Sequence, residues 1–159
     1  MTTPARITDS HCHLDFADFA GELPGIVARA NAAGVHRMVT ICTRLKTLPA
    51  VRAIAEAHEG VFFAAGTHPM RVAQEPMATT DDLSALAKHP KFVGIGETGL
   101  DYHYTAESAA THQQSLRTHI AAARDTGLPL LIHARPAVDD TARILTGVYP
   151  HSSCTFGLP

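Results

Sequence analysis

The chain lacks tryptophan, has only three cysteines among its 159 residues, and carries no excess of basic side chains. Because Cys12, Cys42 and Cys154 are odd in number, widely spaced and without a Cys-x-x-Cys pair, they argue against a disulfide framework and for a reducing compartment. The net charge of −2 provides no basic field to hold duplex nucleic acid nonspecifically. A signal peptide and an apolar run of about 18 residues are both missing, so we expect a soluble, cytoplasmic protein without a membrane partner.

Strand-type and helix-type patterns alternate along the chain up to about Gly147. The predicted strands cover residues 7–11, 37–43, 61–66, 92–97 and 128–133. The predicted helices cover residues 19–33, 48–58, 79–87, 106–125 and 139–145. Repeated βα units predict an α/β fold built on a parallel sheet. Five units are too few to close a (β/α)8 barrel, which typically takes about 250 residues.

The last segment, residues 148–159, breaks the alternation. Its two prolines, Pro150 and Pro159, and its polar middle make a poor core strand, so we predict no sixth strand. The chain therefore divides into a partial barrel over residues 1–147 and a divergent tail over residues 148–159.

Four short segments carry metal-type ligands at or just after the carboxyl ends of predicted strands, where parallel α/β folds place their active sites. The segments are Ile7-Thr8-Asp9-Ser10-His11-Cys12-His13, Gly66-Thr67-His68-Pro69, Val93-Gly94-Ile95-Gly96-Glu97 and Leu130-Leu131-Ile132-His133. In a strand, His11 and His13 project from the same face. Imidazoles with a carboxylate form a ligand set for a divalent metal, which predicts a metal-dependent hydrolase. Chance surface histidines are the alternative in a chain with eleven of them.

Glu97 ends an apolar strand and follows Gly94-Ile95-Gly96, where small residues let the backbone approach a neighbour closely. A buried carboxylate is costly unless it is paired. Glu97 is therefore either a metal ligand, able to bridge two ions through its two oxygens, or the partner of an arginine.

Other side chains near these strand ends are candidates for contacts with the substrate. His68 lies in a loop that Pro69 makes rigid. We interpret His68 as a residue that contacts the substrate or supports a metal ligand, rather than as a certain metal ligand. Arg135 follows His133 and either clamps a phosphate or forms an ion pair with Asp101, Asp139 or Asp140. The aromatic rings that follow Glu97 either stack on bases or pack: Tyr102, His103 and Tyr104. The histidines within or at the ends of helices are predicted to be solvated: His36, His58, His89, His112 and His119.

Taken in order, four motifs over about residues 6–146 resemble the TatD family of metal-dependent deoxyribonucleases. The motifs are Asp9-Ser10-His11-Cys12-His13-Leu14-Asp15, Gly66-Thr67-His68-Pro69, Gly94-Ile95-Gly96-Glu97-Thr98-Gly99-Leu100-Asp101-Tyr102 and Ile132-His133-Ala134-Arg135. The resemblance implies a TIM barrel of the amidohydrolase-like group with two divalent ions. Mg²⁺, Mn²⁺ and Zn²⁺ all tolerate such mixed sites. The resemblance to the TatD family also implies exonuclease-type cleavage of DNA, with RNA as a further candidate substrate.

The resemblance also implies roles for individual residues. His11 and His13 would bind the first ion, Glu97 would bridge both ions as the catalytic residue, and His133 would bind the second. Hydrolysis of the phosphodiester would follow a two-metal mechanism, with His68 and Arg135 as candidates to hold the phosphate.

The chain departs from the family after about Gly147. The family continues with a strand ending in a His-Cys-Phe-type motif and, later, with an Asp ligand, and neither has a counterpart here. His151 is not preceded by a predicted strand, so we do not assign to it the role of the family's histidine, which binds the second ion. We expect a truncation or a reading-frame shift. Two alternatives follow: a metal hydrolase for an amide, ester or phosphotriester, or an inactive remnant that self-associates through the open edges of its first and fifth strands.

Overall fold

A computed structural model describes residues 6–148, and the predicted tail lies, apart from Val148, outside the described residues. The strands are β1 (Ile7–Cys12), β2 (Val35–Cys42), β3 (Val61–Ala65), β4 (Phe92–Asp101) and β5 (Leu130–Arg135). The α-helices are α1 (Leu23–Ala32), α2 (Leu48–Ala57), α3 (Pro69–Val72), α4 (Thr80–Leu86), α5 (Ala109–Thr126) and α6 (Val138–Val148). Short 3-10 turns cover Ala17–Phe19, Leu45–Thr47 and Ala106–Ser108.

All five strands form one parallel sheet in the order β1-β2-β3-β4-β5, which is also their order along the chain. A doubly wound sheet reverses its strand order, whereas a (β/α) barrel adds each strand beside the previous one. The winding is therefore of the barrel type. The prediction of five strands is confirmed.

Element boundaries differ from the predictions where tertiary pairing or a local cap decides them. Strand β4 continues to Asp101, beyond Glu97, because it pairs with β5 as far as the register Asp101↔Arg135. The one-turn helix α3 was not predicted. It begins at Pro69, since proline suits the first helical position, and the His68 side chain caps it by accepting from the Met70 N–H.

Helix α4 shows how the sequence fixes a helix start. Thr79 Oγ1 accepts a hydrogen bond from the Asp82 N–H at 3.1 Å, and the Asp82 carboxylate accepts from the Thr79 N–H at 3.1 Å. This capping box satisfies two backbone donors that have no partner within the helix.

Two buried clusters hold the helices against the sheet. The larger includes Val51 of α2, Phe63 of β3 and Leu83 of α4, which are at most 1% exposed. The smaller joins β4 to α5 and α6 through residues such as Leu100 and Leu116, both fully buried. Because burial of each such side chain contributes about 1.5–3 kcal/mol, these contacts fix the helices behind the strands.

Helix α5 buries two histidines that were predicted to be solvated. His112 and His119 are both 0% exposed, so that prediction was wrong for them. The helix packs closely on β4, and the ring nitrogens of His119 find partners inside: Nδ1 lies 2.8 Å from the Ser115 carbonyl oxygen and Nε2 accepts from the Thr67 N–H at 3.0 Å. A buried polar ring is tolerated when it is hydrogen-bonded in this way.

The two outer strands are more exposed than the inner ones. Every residue of β1 is exposed or half-buried and those of β5 are half-buried apart from the exposed Arg135, whereas β3 and β4 are almost wholly buried. Self-association through these outer strands stays a prediction. Cys12 and Cys42 are unpaired. Within residues 6–148, no helix is long and apolar enough to cross a membrane.

Candidate metal centre

The predicted ligands meet on the concave side of the sheet. His11 lies in β1 and His13 follows that strand, while Glu97 lies in β4 and His133 in β5. Because β2 and β3 separate β1 from β4, these strands would lie about 14 Å apart in a flat sheet. Yet His11 Nε2 lies 3.5 Å from Glu97 Oε2. The sheet must therefore curl, and this curl creates the site.

The Glu97 carboxylate is the meeting point of these side chains. Glu97 is 8% exposed, and each of its oxygens faces a different group of histidines. Oε2 faces His11, whereas Oε1 lies 3.4 Å from His133 Nδ1 and 3.8 Å from His68 Nε2. Among the ion pairs of the described residues, none joins Glu97 to an arginine. The geometry thus favours the metal-ligand interpretation over an internal Arg pair.

Hydrogen bonds to backbone and carboxylate oxygens determine which ring nitrogens of two histidines are free. His13 Nδ1 lies 3.2 Å from the Ile41 carbonyl oxygen, which only accepts, so Nδ1 donates and Nε2 keeps the lone pair. His133 Nε2 lies 3.1 Å from Asp101 Oδ2 and donates to it, so Nδ1 is the nitrogen that faces Glu97 and that would bind a metal. Such outer partners fix a histidine in the tautomer that a metal requires.

Asp101 is a functional residue that the sequence analysis missed, because it was considered only as a partner for Arg135. The residue is fully buried, and its Oδ1 accepts from the His103 and Tyr104 N–H groups at 2.9 and 3.0 Å. No local signal identified Asp101, because the predicted strand ends at Glu97 and the partner His133 lies 32 residues away.

Protonation equilibria in the cluster are strongly coupled. Burial raises the pKa of Glu97, but hydrogen bonds with His11 and His133 and the nearby His68 outweigh it and hold that pKa well below its ordinary value. The hydrogen bond to Glu97 raises the pKa of His11 and of His133 above the ordinary value of 6.5. Burial lowers the pKa of His68 to about 4. The carboxylate is therefore an anion at neutral pH.

The residues present fit a divalent cation. Two triads share Glu97, namely His11–His13–Glu97 and His68–Glu97–His133, and the ligand atoms within each lie within 4.8 Å of one another. Imidazole nitrogens with a carboxylate oxygen suit Zn²⁺, Mn²⁺ and related ions. A buried anion without a fixed Lys or Arg partner also calls for positive charge.

Arg135 and the neighbouring aromatic rings line the rim. The guanidinium of Arg135 lies 5.6 Å from the centre of the Tyr104 ring. None of the ion pairs found in residues 6–148 joins Arg135 to Asp101, Asp139 or Asp140. Tyr102 packs instead of facing outward, since its hydroxyl donates to Asp140 Oδ2 at 2.8 Å. Tyr104 is 53% exposed, and Phe16, 51% exposed, stacks on His13 with ring centroids 5.0 Å apart.

Glycines let β4 approach β5 closely. A Cβ on Gly96 would clash with the Leu131 carbonyl oxygen. Gly99 has a φ of +143°, and a Cβ there would overlap the His133 carbonyl oxygen. The close backbone approach expected around Gly94-Ile95-Gly96 is thus confirmed, and it sets Glu97 and Asp101 against His133.

A family model described as TatD related DNase matches residues 8–154. The uncharacterized metal-dependent hydrolase YcfH of Escherichia coli (strain K12) is 34% identical over 142 residues, covering 87% of this chain and 53% of YcfH. A protein of Klebsiella pneumoniae (strain 342) named 3'-5' ssDNA/RNA exonuclease TatD is 30% identical over 131 residues, covering 82% of this chain and 50% of the relative. The chain spans about half the length of the curated relatives it matches.

Solved structures show the same fold. The YjjV structure, a TatD homolog from Escherichia coli K12, superposes with a TM-score of 0.82 at 28% identity, covering 89% of this chain and 56% of YjjV. A TatD family hydrolase from Entamoeba histolytica gives a TM-score of 0.81 at 20% identity, over 96% of this chain and 57% of the other. The prediction of a TIM-barrel-type fold represented by about five βα units is confirmed.

Replacing Gly99 by Ala tests how closely the strands must approach. We expect Gly99→Ala to lower the free energy of unfolding by about 3 kcal/mol, because it combines an unfavourable φ with a backbone clash. Gly127→Ala is the matched control, since Gly127 also has a positive φ, +70°, but a Cβ there meets nothing within 4 Å. Gly127→Ala should lower the free energy of unfolding by only about 1 kcal/mol. If urea denaturation showed the same loss of unfolding free energy for Gly99→Ala and Gly127→Ala, the close approach of the two strands would be contradicted.

Proposed function

This chain belongs to the TatD related DNase family of metal-dependent hydrolases, and we propose that it forms the part of a nuclease that binds two divalent ions, Mg²⁺, Mn²⁺ or Zn²⁺, and cleaves phosphodiester bonds of DNA. The observation that carries the proposal is the division of the Glu97 carboxylate between two sides of the site, with His11 on Oε2 and His133 on Oε1.

Two ions are proposed because one carboxylate serves two separate ligand groups. His11 and His13 approach Glu97 from the β1 side, and His133 approaches from the β5 side. A carboxylate with one oxygen toward each side can bridge a pair of cations. Glu97 is therefore the residue that would hold both ions, and the outer hydrogen bonds of His13 and His133 leave the other nitrogen of each ring available to a cation.

Bound ions would supply an activated water and would stabilise the leaving oxygen. The chain's own residues do the remaining work. Glu97 stays ionised, because its hydrogen bonds with histidines hold its pKa low. Asp101 keeps the His133 ring in place through its 3.1 Å contact with Nε2. Arg135, exposed on the rim, offers a planar pair of donors to a phosphate group.

A nucleic acid is the proposed substrate class, and two observations support it. The Klebsiella relative is named as a 3'-5' ssDNA/RNA exonuclease. The exposed rings of Phe16 and Tyr104 lie beside the ligand group, where they can stack on unpaired bases. Because a net charge of −2 gives the chain no basic field, the attraction of phosphate would come from the metal ions and from Arg135. An exonuclease acting on strand ends, on DNA and also on RNA, fits this open rim.

Replacing Glu97 by Gln tests the proposal at its centre. The amide keeps the shape but loses the negative charge, so Glu97→Gln should abolish Mn²⁺-dependent cleavage of a labelled oligonucleotide. It should also weaken Mn²⁺ binding by more than tenfold, since even outer partners of metal ligands are worth about 10–100-fold in affinity. Glu59→Gln is the control, because Glu59 is exposed and precedes β3 at the opposite end of the sheet. Cleavage persisting at the full rate in Glu97→Gln would mean that another site or a contaminant is responsible.

Replacing Arg135 tests its role with the substrate. We expect Arg135→Ala to raise the KM for a single-stranded oligonucleotide by about tenfold, the loss of about 1.4 kcal/mol of phosphate binding, while kcat changes little. Arg117→Ala on α5 removes an equally exposed arginine away from the rim and should leave KM unchanged. A KM that responds equally to both changes would show that only the overall charge matters.

A further inference from the structure

His68 belongs to one of the two triads by distance alone, yet its hydrogen bonding sets it apart from the other histidines. We propose that His68 is not a metal ligand but a neutral hydrogen-bond donor, presenting its Nε2–H to an anionic oxygen of the substrate. The proposal rests on the proposed function for the identity of that oxygen as a phosphodiester oxygen. The state of the ring itself follows from this chain's own contacts.

The backbone decides which nitrogen of His68 carries the proton. Nδ1 lies 3.2 Å from the Met70 backbone nitrogen and accepts its hydrogen bond. An N–H group can only donate, so Nδ1 must hold a lone pair, and the ring is neither protonated twice nor protonated at Nδ1. The single ring proton therefore lies on Nε2. A nitrogen that carries a proton has no lone pair for a cation.

His13 and His133 show the opposite arrangement. Each presents one nitrogen to an oxygen that only accepts, the Ile41 carbonyl or the Asp101 carboxylate. That contact keeps a proton on the outer nitrogen, so the inner nitrogen is the one that a metal would use. In His68 the outer nitrogen is Nδ1, which faces the Met70 N–H donor. The inner nitrogen, Nε2, is therefore the protonated one. The three rings lie in one site but have two different chemical roles.

The Nε2 atom of His68 lies on the Glu97 side of the ring without a hydrogen-bond partner among the described residues. Its nearest charged neighbour is Glu97 Oε1 at 3.8 Å, beyond hydrogen-bonding distance, and no hydrogen bond from Nε2 is found within residues 6–148. The ring lies against His133, with centroids 4.4 Å apart, and its side chain is 14% exposed. A donor so placed can reach a substrate oxygen held beside Glu97, and hydrogen bonds to anionic oxygens are the stronger kind.

The loop that carries His68 is held too firmly for the ring to change its tautomer easily. The His68 N–H donates to the Thr43 carbonyl oxygen at 3.0 Å, and Pro69 begins α3 immediately afterwards. The preceding Thr67 N–H donates to Nε2 of the fully buried His119 at 3.0 Å. Binding a metal through Nε2 would require His68 to give up the Met70 hydrogen bond.

Nuclear magnetic resonance of the full chain with ¹⁵N-labelled histidines tests the proposal directly. Long-range ¹H–¹⁵N spectra distinguish a protonated ring nitrogen from one with a lone pair. We expect His68 to show Nε2–H without metal and to keep it when Zn²⁺ is added, while the ring nitrogens of His13 and His133 shift on Zn²⁺ binding. A His68 signal that changes to the Nδ1–H form with a metal-bound Nε2 would overturn the proposal.

The same spectra separate this inference from the proposed function. If no histidine responds to Zn²⁺, the proposed metal centre fails, while the tautomer of His68 in the metal-free chain still decides the inference. An Nδ1–H tautomer there overturns it.

A variant series provides a second readout. His68→Ala should change Zn²⁺ affinity by less than twofold, whereas His133→Ala should weaken it more than tenfold. For an oligonucleotide substrate, His68→Gln, which keeps an N–H donor of similar reach, should recover part of the loss caused by His68→Ala. Equal losses of Zn²⁺ affinity in His68→Ala and His133→Ala would show that His68 is a ligand.

Discussion

The burial of one carboxylate among histidines is the constraint on which the described structure depends. Glu97 is 8% exposed and faces three imidazoles, and no Lys or Arg pairs with it in the part of the chain that the structure describes. Isolated burial of such a charge is strongly unfavourable. The histidines compensate for part of this cost by hydrogen bonding, and a bound cation would compensate for the rest. The fold is organised to keep that carboxylate in place.

Two features of the backbone make this arrangement feasible. The sheet curls enough to bring His11 of β1 to 3.5 Å from Glu97 of β4, although two strands lie between them. Strand β4 approaches β5 so closely at Gly99 that a methyl group there would overlap the His133 carbonyl oxygen. The candidate site therefore depends on sheet geometry as much as on ligand identity, and the glycines of β4 allow the close approach that brings its side chains together.

Much of this could be predicted from sequence, and the failures have a common physical cause. The alternation of strands and helices and the placement of His11, Glu97 and His133 on strands follow from local patterns, since side-chain period is a local property, whereas the end of β4 lies beyond Glu97 because of its pairing with β5. The buried state of His119 and the role of Asp101 could not be predicted, because both depend on partners 52 and 32 residues away. The ring orientations of His13 and His133 depend on such contacts too, whereas that of His68 depends on Met70, two residues away.

The central claim is that this chain assembles a metal site around Glu97. Thermal unfolding followed by circular dichroism, with Mn²⁺ and then with a chelator, tests it most directly. A ligand that binds only the folded state raises its stability by RT ln(1 + [L]/Kd). The account predicts a cooperative transition whose midpoint rises with Mn²⁺ and returns to its starting value with the chelator. A transition that is broad, or that does not respond to either addition, would contradict it.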